Sequence, residues 1–204
     1  MSDKVNIDWS YSGKTDGLAG TGATNAERIL AYGFAIFITL SLILFLRLNE
    51  NPATYGWRLW LLIFLVFDVL GGVVANMLNS CKRHYHSPPK ASERGFARLV
   101  KSPIAFAALH IHPIIVAWAF WETPWLGLGW YLALLIGVVL TLKTPLYLRR
   151  PMATAIVVMA SLMSFYVFGY GSGLEWFIPA LFFKIVLAHS VREEPYRPVR
   201  GLAA

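Results

Sequence analysis

Charge is scarce in this chain: Asp, Glu, Lys and Arg make up 14% of its 204 residues, against 57% hydrophobic residues. A composition so apolar excludes a soluble domain of this length, which would have to hide nearly all of that surface in one small core. Cysteine is scarcer still. The single Cys81 excludes an internal disulfide and leaves a structural, lipid-anchoring or idle thiol. There is no His-Glu-x-x-His pair, no Cys-x-x-Cys, no glycine-rich phosphate loop, no Gly-x-Ser-x-Gly elbow and no repeated histidine box of the membrane-desaturase kind. No motif therefore names a reaction.

What the chain has is long apolar runs. Six of them, near residues 28–48, 57–79, 103–121, 126–143, 151–170 and 174–191, have about the 20-residue length that crosses about 30 Å of hydrocarbon. Their connections are short and rich in turn-formers: Asn49-Glu50-Asn51-Pro52, Glu122-Thr123-Pro124 and the stretch Gly169 to Gly173. Short loops make sequential helices antiparallel, so the expected fold is an all-α, up-down six-transmembrane-helix bundle. Residues 1–27 form a polar tail without an apolar core and are not expected to be a cleavable signal. Residues 28–191 form the membrane domain and residues 192–204 a second polar tail. Thr24 and Glu27 have capping-box spacing at the start of the first span.

The cations set an orientation. Lys4, Lys14 and Arg28 precede the first span, and Lys82, Arg83, Lys90, Arg94, Arg98 and Lys101 lie between the second and third. Lys143, Arg149 and Arg150 follow the fourth, and Arg192, Arg197 and Arg200 follow the sixth; the other side has only Arg47 and Arg58. The positive-inside bias then puts both termini in the cytoplasm, at the plasma membrane. It also accounts for the net charge of +7 without nucleic acid. The loop from Lys82 to Lys101 suits anionic lipid headgroups, while a protein partner or a homo-oligomer stays open. Trp57, Trp60, Trp121, Trp125, Trp130 and Trp176 gather at the opposite boundary as an aromatic belt.

A few polar groups interrupt the runs. In the second span Gly72, Ala75, Asn76 and Asn79 fall within about 80° of Asp68 at about 100° per residue, giving one small, polar face. Gly72, Asn76 and Asn79 fit a helix-packing seam, which does not explain an acid. Asp68 and Lys184 both lie roughly 15 to 17 Å from the outer boundary, so they can meet as an intramembrane ion pair. The competing reading lets Lys184 extend to an interface.

The third span carries His110 and His112, about 200° apart on an ideal helix. Pro113 changes that geometry: it cannot bond the Leu109 carbonyl and disfavours helical geometry at His112, so a kink and a polar cavity are expected there. His84, His86 and His189 lie towards the same end of the bundle. Imidazoles with a carboxylate suit a transition metal, and facing imidazoles suit haem. The expected metal set is His110, His112 and His84, with Asp68 and Lys184 as catalytic groups; for each histidine the alternative is a hydrogen-bonded or interfacial side chain.

Three function classes follow. One is a metal- or haem-dependent membrane enzyme or redox protein with a cytoplasm-facing site. Another is a proton- or ion-coupled permease that uses the Asp68–Lys184 pair, which the lack of any motif shared by the first and last three spans weakens. The last is a non-catalytic membrane subunit.

Overall fold

The structure, a computed structural model, describes residues 5–10, 12–91, 93–121, 123–168 and 173–198. Lys4, Glu122, the stretch 169–172 and Arg200, used above, lie outside them. The described chain is mainly helical. Five helices are long and apolar enough to cross a membrane: α1 (Asn25–Leu48), α2 (Gly56–Met77), α4 (Pro103–Trp121), α5 (Pro124–Lys143) and α6 (Arg149–Phe168). A short helix α3 (Asn79–His86) follows α2, and a shorter apolar helix α7 (Phe177–His189) follows α6.

The helix ends have local causes. Thr24 accepts from the Glu27 N–H at 3.1 Å while Glu27 accepts from the Thr24 N–H at 2.8 Å, completing the capping box at the start of α1. Proline stands in the first turn of α4 and of α5, where its missing N–H costs nothing. The second expected span stops short of Asn79 because Leu78 is extended, with ψ 143°. The new helix that begins there is supported from α1: Glu27 Oε1 accepts from the Ser80 N–H at 3.0 Å.

Helix α7 is the hub. It packs on α2, α5 and α6, while α1 leans on α2 and α4 leans on α5. Most residues from Phe177 to Ala188 are buried, with Phe183 exposed, which explains a helix apolar on nearly all sides. α1 and α6 instead turn long apolar faces outward, as lipid-facing helices should. Among the expected belt residues, Trp60 and Trp125 are exposed, but Trp130 is buried against Phe182 and belongs to the core.

The two polar tails meet each other. Strand β1 (Val5–Ile7) pairs antiparallel with β4 (Tyr196–Pro198), and β2 (Thr15–Asp16) forms a hairpin with β3 (Gly20–Thr21). That hairpin rests on α3: Ser80 Oγ donates to the Ala19 carbonyl at 2.6 Å and Cys81 Sγ lies 3.3 Å from the Leu18 carbonyl. Gly20, at φ +79°, is needed there, because a Cβ would come within 2.9 Å of the Cys81 backbone. Cys81 itself is buried, and burial pushes its thiol up to about 12, so it is an inert core group and not an anchor for lipid.

Two cations of the expected lipid-facing loop are consumed inside the fold. Lys82 and Arg83 are 2% and 1% exposed. Lys82 Nζ donates to the Ala188 and Val191 carbonyls at 2.6 and 2.9 Å and pairs with Glu193 at 3.3 Å, closing the open C-terminal end of α7. Lys82→Met should therefore lower stability by about 1.5 to 3 kcal/mol for each charged hydrogen bond lost. The check is the midpoint of thermal unfolding in detergent, with Lys90→Met, on the exposed part of the loop, leaving it unchanged.

Candidate functional site

The site is built on departures from regular helix. Asp68 sits in a π-helical stretch of α2, Val66–Leu70, and Lys184 in another, Phe183–His189 of α7. A π-bulge inserts a residue and re-aims the side chains around it. Here the two re-aimed groups meet, Lys184 Nζ donating to Asp68 Oδ2 at 2.7 Å. Lys184 is 3% exposed, so its ammonium depends on that carboxylate.

The small face of α2 serves the lysine. A Cβ on Gly72 would fall 2.5 Å from Lys184 Cε, so any larger residue would displace the lysine stem from its present path. Asn76 Nδ2 donates to the Lys184 carbonyl at 3.4 Å, which fixes α7 against α2. Asn79 is not on this seam: it opens α3 and its Oδ1 accepts from the Tyr196 N–H at 3.0 Å, tying β4 to the bundle.

Helix α4 breaks at His110 and Ile111, just before Pro113, which has no N–H to give to the Leu109 carbonyl. Three of the carbonyls released by the break find donors elsewhere. Phe106 O takes His110 Nδ1 at 2.7 Å, Ala108 O takes the Tyr131 hydroxyl at 2.8 Å, and Leu109 O takes the Ile111 N–H at 3.0 Å. With Nδ1 committed as the donor, the lone pair of His110 is left on Nε2. The break also brings the rings of His110 and His112 to 5.1 Å, although an ideal helix would set them on opposite faces.

His112 Nε2 stands 3.5 Å from Asp68 Oδ2, and its ring stacks on Phe64. Its Nδ1 is buried and has no hydrogen-bond partner among the described residues. Asp68, His110 and His112 thus form a group whose donor atoms lie within 4.8 Å of one another. The contacts of Asp68 with Lys184 and His112 fall on the one oxygen, Oδ2.

A cavity of about 380 Å³ opens beside this group, walled by Gly72, Asn76, Tyr85, Phe106 and His110 together with Lys184 and Asp68. Residues 15–18 of the β2–β3 hairpin cover it. His84 lines the same cavity but is not in the donor group. Its Nδ1 lies 2.9 Å from Thr21 Oγ1, and burial followed by the Lys101 charge pushes its pKa down. His86 and His189 are apart from the donor group. His189 is buried between Phe106, stacked at 3.7 Å, and Tyr85, edge-on at 4.5 Å.

Tyr131 and the hairpin cover had no signal in the sequence: one acts through a hydroxyl on another helix, the other through backbone pairing. No protein-family model, no curated protein and no solved structure matches this chain.

Asp68→Asn leaves the Lys184 ammonium buried without a counter-charge and should cost about 3 to 5 kcal/mol. Asp68→Leu combined with Lys184→Met should bring the unfolding midpoint back to wild type or above. A double variant as unstable as Asp68→Asn would show that the ammonium does not carry the penalty.

Proposed function

We propose that this chain is a membrane-embedded, metal-dependent enzyme, with a transition-metal site on Asp68, His110 and His112 beside a cavity for a small amphipathic substrate. The observation that carries this reading is the convergence of two imidazoles and a carboxylate, with donor atoms within 4.8 Å of one another. Two histidines and one carboxylate leave coordination positions open, as catalytic zinc and non-haem iron sites require. Two further features support it. His110 is held by its outer nitrogen on a backbone carbonyl, the usual way a metal-bound imidazole is oriented. His112 keeps a buried nitrogen without a partner, a state that normally calls for an unseen ligand.

A divalent ion beside Lys184 would put three positive charges against one carboxylate. An anionic group on the substrate would offset that excess, so Lys184 is assigned to hold the negative oxygen of the reacting group. The walls of the cavity are partly aromatic and aliphatic, with Asp68, His110 and Lys184 on the side of the donor group and Asp16 and His84 at the hairpin, which suits a molecule with both apolar and polar parts.

The reading includes six crossings with both termini in the cytoplasm. Parity supports the sixth: β1 precedes the first helix and β4 follows the last, and the two are hydrogen bonded, so the chain crosses an even number of times. Five long helices then need α7, about 20 Å at about 1.5 Å per residue, as the sixth. The excess of Lys and Arg at the tail end favours the cytoplasmic side for it.

A proton-coupled permease is the second reading, favoured by the direct 2.7 Å contact of an acid and an amine at bilayer depth. Metal analysis of detergent-purified protein separates the two. We expect a stoichiometric transition metal, with affinity reduced about a hundredfold or more in folded His110→Ala and His112→Ala and unchanged in His84→Ala. Folded wild-type protein that takes up neither zinc, iron nor manganese, yet moves a solute in liposomes until Asp68→Asn abolishes it, would replace the enzyme reading with the permease.

A further inference from the structure

A second cavity, of about 610 Å³, lies apart from the Asp68 site and is lined by Arg98, Lys101, Arg149 and Arg192, with His86, Ser102 and Ser190 between them. We propose that it is a binding site for the phosphate of an anionic phospholipid headgroup. Four cations come to it from separate parts of the chain: two from the loop after α3, one from the start of α6 and one from the segment after α7. No acidic residue is among the described residues that line it. Such convergence is not an effect of sequence proximity, and it concentrates positive charge in a concave, partly enclosed space.

Arg149 and Arg192 are held in place by uncharged groups that leave their positive charge uncompensated, whereas Lys101 is paired with a carboxylate. Arg149 is anchored by its own donors on the Thr144 and Leu142 carbonyls at 3.1 and 3.0 Å. Arg192 lies over the Trp9 ring at 4.4 Å, and Lys101 is placed by Glu93 at 3.2 Å. The guanidinium of Arg98 makes no hydrogen bond or ion pair among the described residues. His86 lies within the field of the same cations. Its Nε2 is buried and has no hydrogen-bond partner among the described residues. Burial, then the charges of Lys82, Arg192 and Arg149, push its pKa down to about 4. An anion in the cavity would offset that repulsion and accept hydrogen bonds from neighbouring donors.

Depth and size select the source. Leu142 stands at the end of α5, Ser102 caps the start of α4 and Ser190 follows α7, so the cavity lies where three apolar helices end, at headgroup level. At about 30 Å³ per water its volume holds about 20 waters, far more than a free phosphate displaces but suited to a phosphate with its glycerol. Arginine is the better phosphate donor, since its planar fork bonds two oxygens together. This places the lipid site of the loop between α3 and α4 on its far end, not on Lys82 and Arg83, which are buried.

The test is native mass spectrometry of the full chain in detergent, titrated with phosphatidylglycerol, phosphatidylcholine or inorganic phosphate. Wild type should retain phosphatidylglycerol over phosphatidylcholine. Arg98→Gln and Arg192→Gln should each weaken retention about fivefold, and the double variant about 25-fold, from about 1 kcal/mol per basic residue. Arg58→Gln, the same charge loss at the opposite end, should leave it unchanged. Inorganic phosphate that binds as tightly and with the same losses would make free phosphate the ligand and overturn the lipid source. Equal retention of phosphatidylglycerol by wild type and either single variant would overturn the site.

Discussion

An ammonium that is 3% exposed, at the centre of an apolar bundle, has to find a counter-charge, and the architecture around Lys184 follows from that need. Asp68 supplies it at 2.7 Å. For the two to meet, α2 and α7 depart from regular helix at the same level, each through a π-helical stretch. Gly72 leaves room for the lysine stem, and Asn76 holds the lysine backbone. Replacing any of these by a larger or apolar group acts on the ion pair before it acts on packing.

The same reasoning extends to α4. Breaking a helix among apolar neighbours releases carbonyls that water cannot reach, so a break survives only where other donors are ready. His110, Tyr131 and the Ile111 amide provide them. The result is that His110 is oriented by its own broken helix and stands with His112 next to a carboxylate already fixed by Lys184. Protein contacts therefore position Asp68 and His110 without a ligand, which is what a metal or substrate site needs if binding is not to be spent on ordering it. The tails complete the enclosure, one hairpin covering the cavity while β1 and β4 clasp each other.

Much of this was legible in the residues. The limits of the long helices followed from apolar length, proline and the capping box, because in lipid those local signals decide where a helix begins. That Asp68 and Lys184 could meet followed from counting depth along two rigid rods. That His110 and His112 could share a site followed from Pro113. What escaped was set by partners distant in sequence. The break at Leu78 rests on Glu27 of α1, the burial of Lys82 on carbonyls at the end of α7, and the role of His84 on Thr21 in the hairpin. Trp130 reads as a belt residue by its position but faces Phe182 across the hub helix. Lys82 and Trp130 were read as surface residues and His84 as a metal ligand, and tertiary contact gave each a different place.

The most direct test of the account is the X-ray absorption spectrum at the metal edge of protein purified without added metal. The account predicts a first shell of nitrogen and oxygen with the multiple scattering of two imidazoles, and loss of one imidazole in His112→Ala. A shell of water oxygens alone, a sulfur ligand, or a spectrum unaltered in His112→Ala would contradict a metal centre on Asp68, His110 and His112.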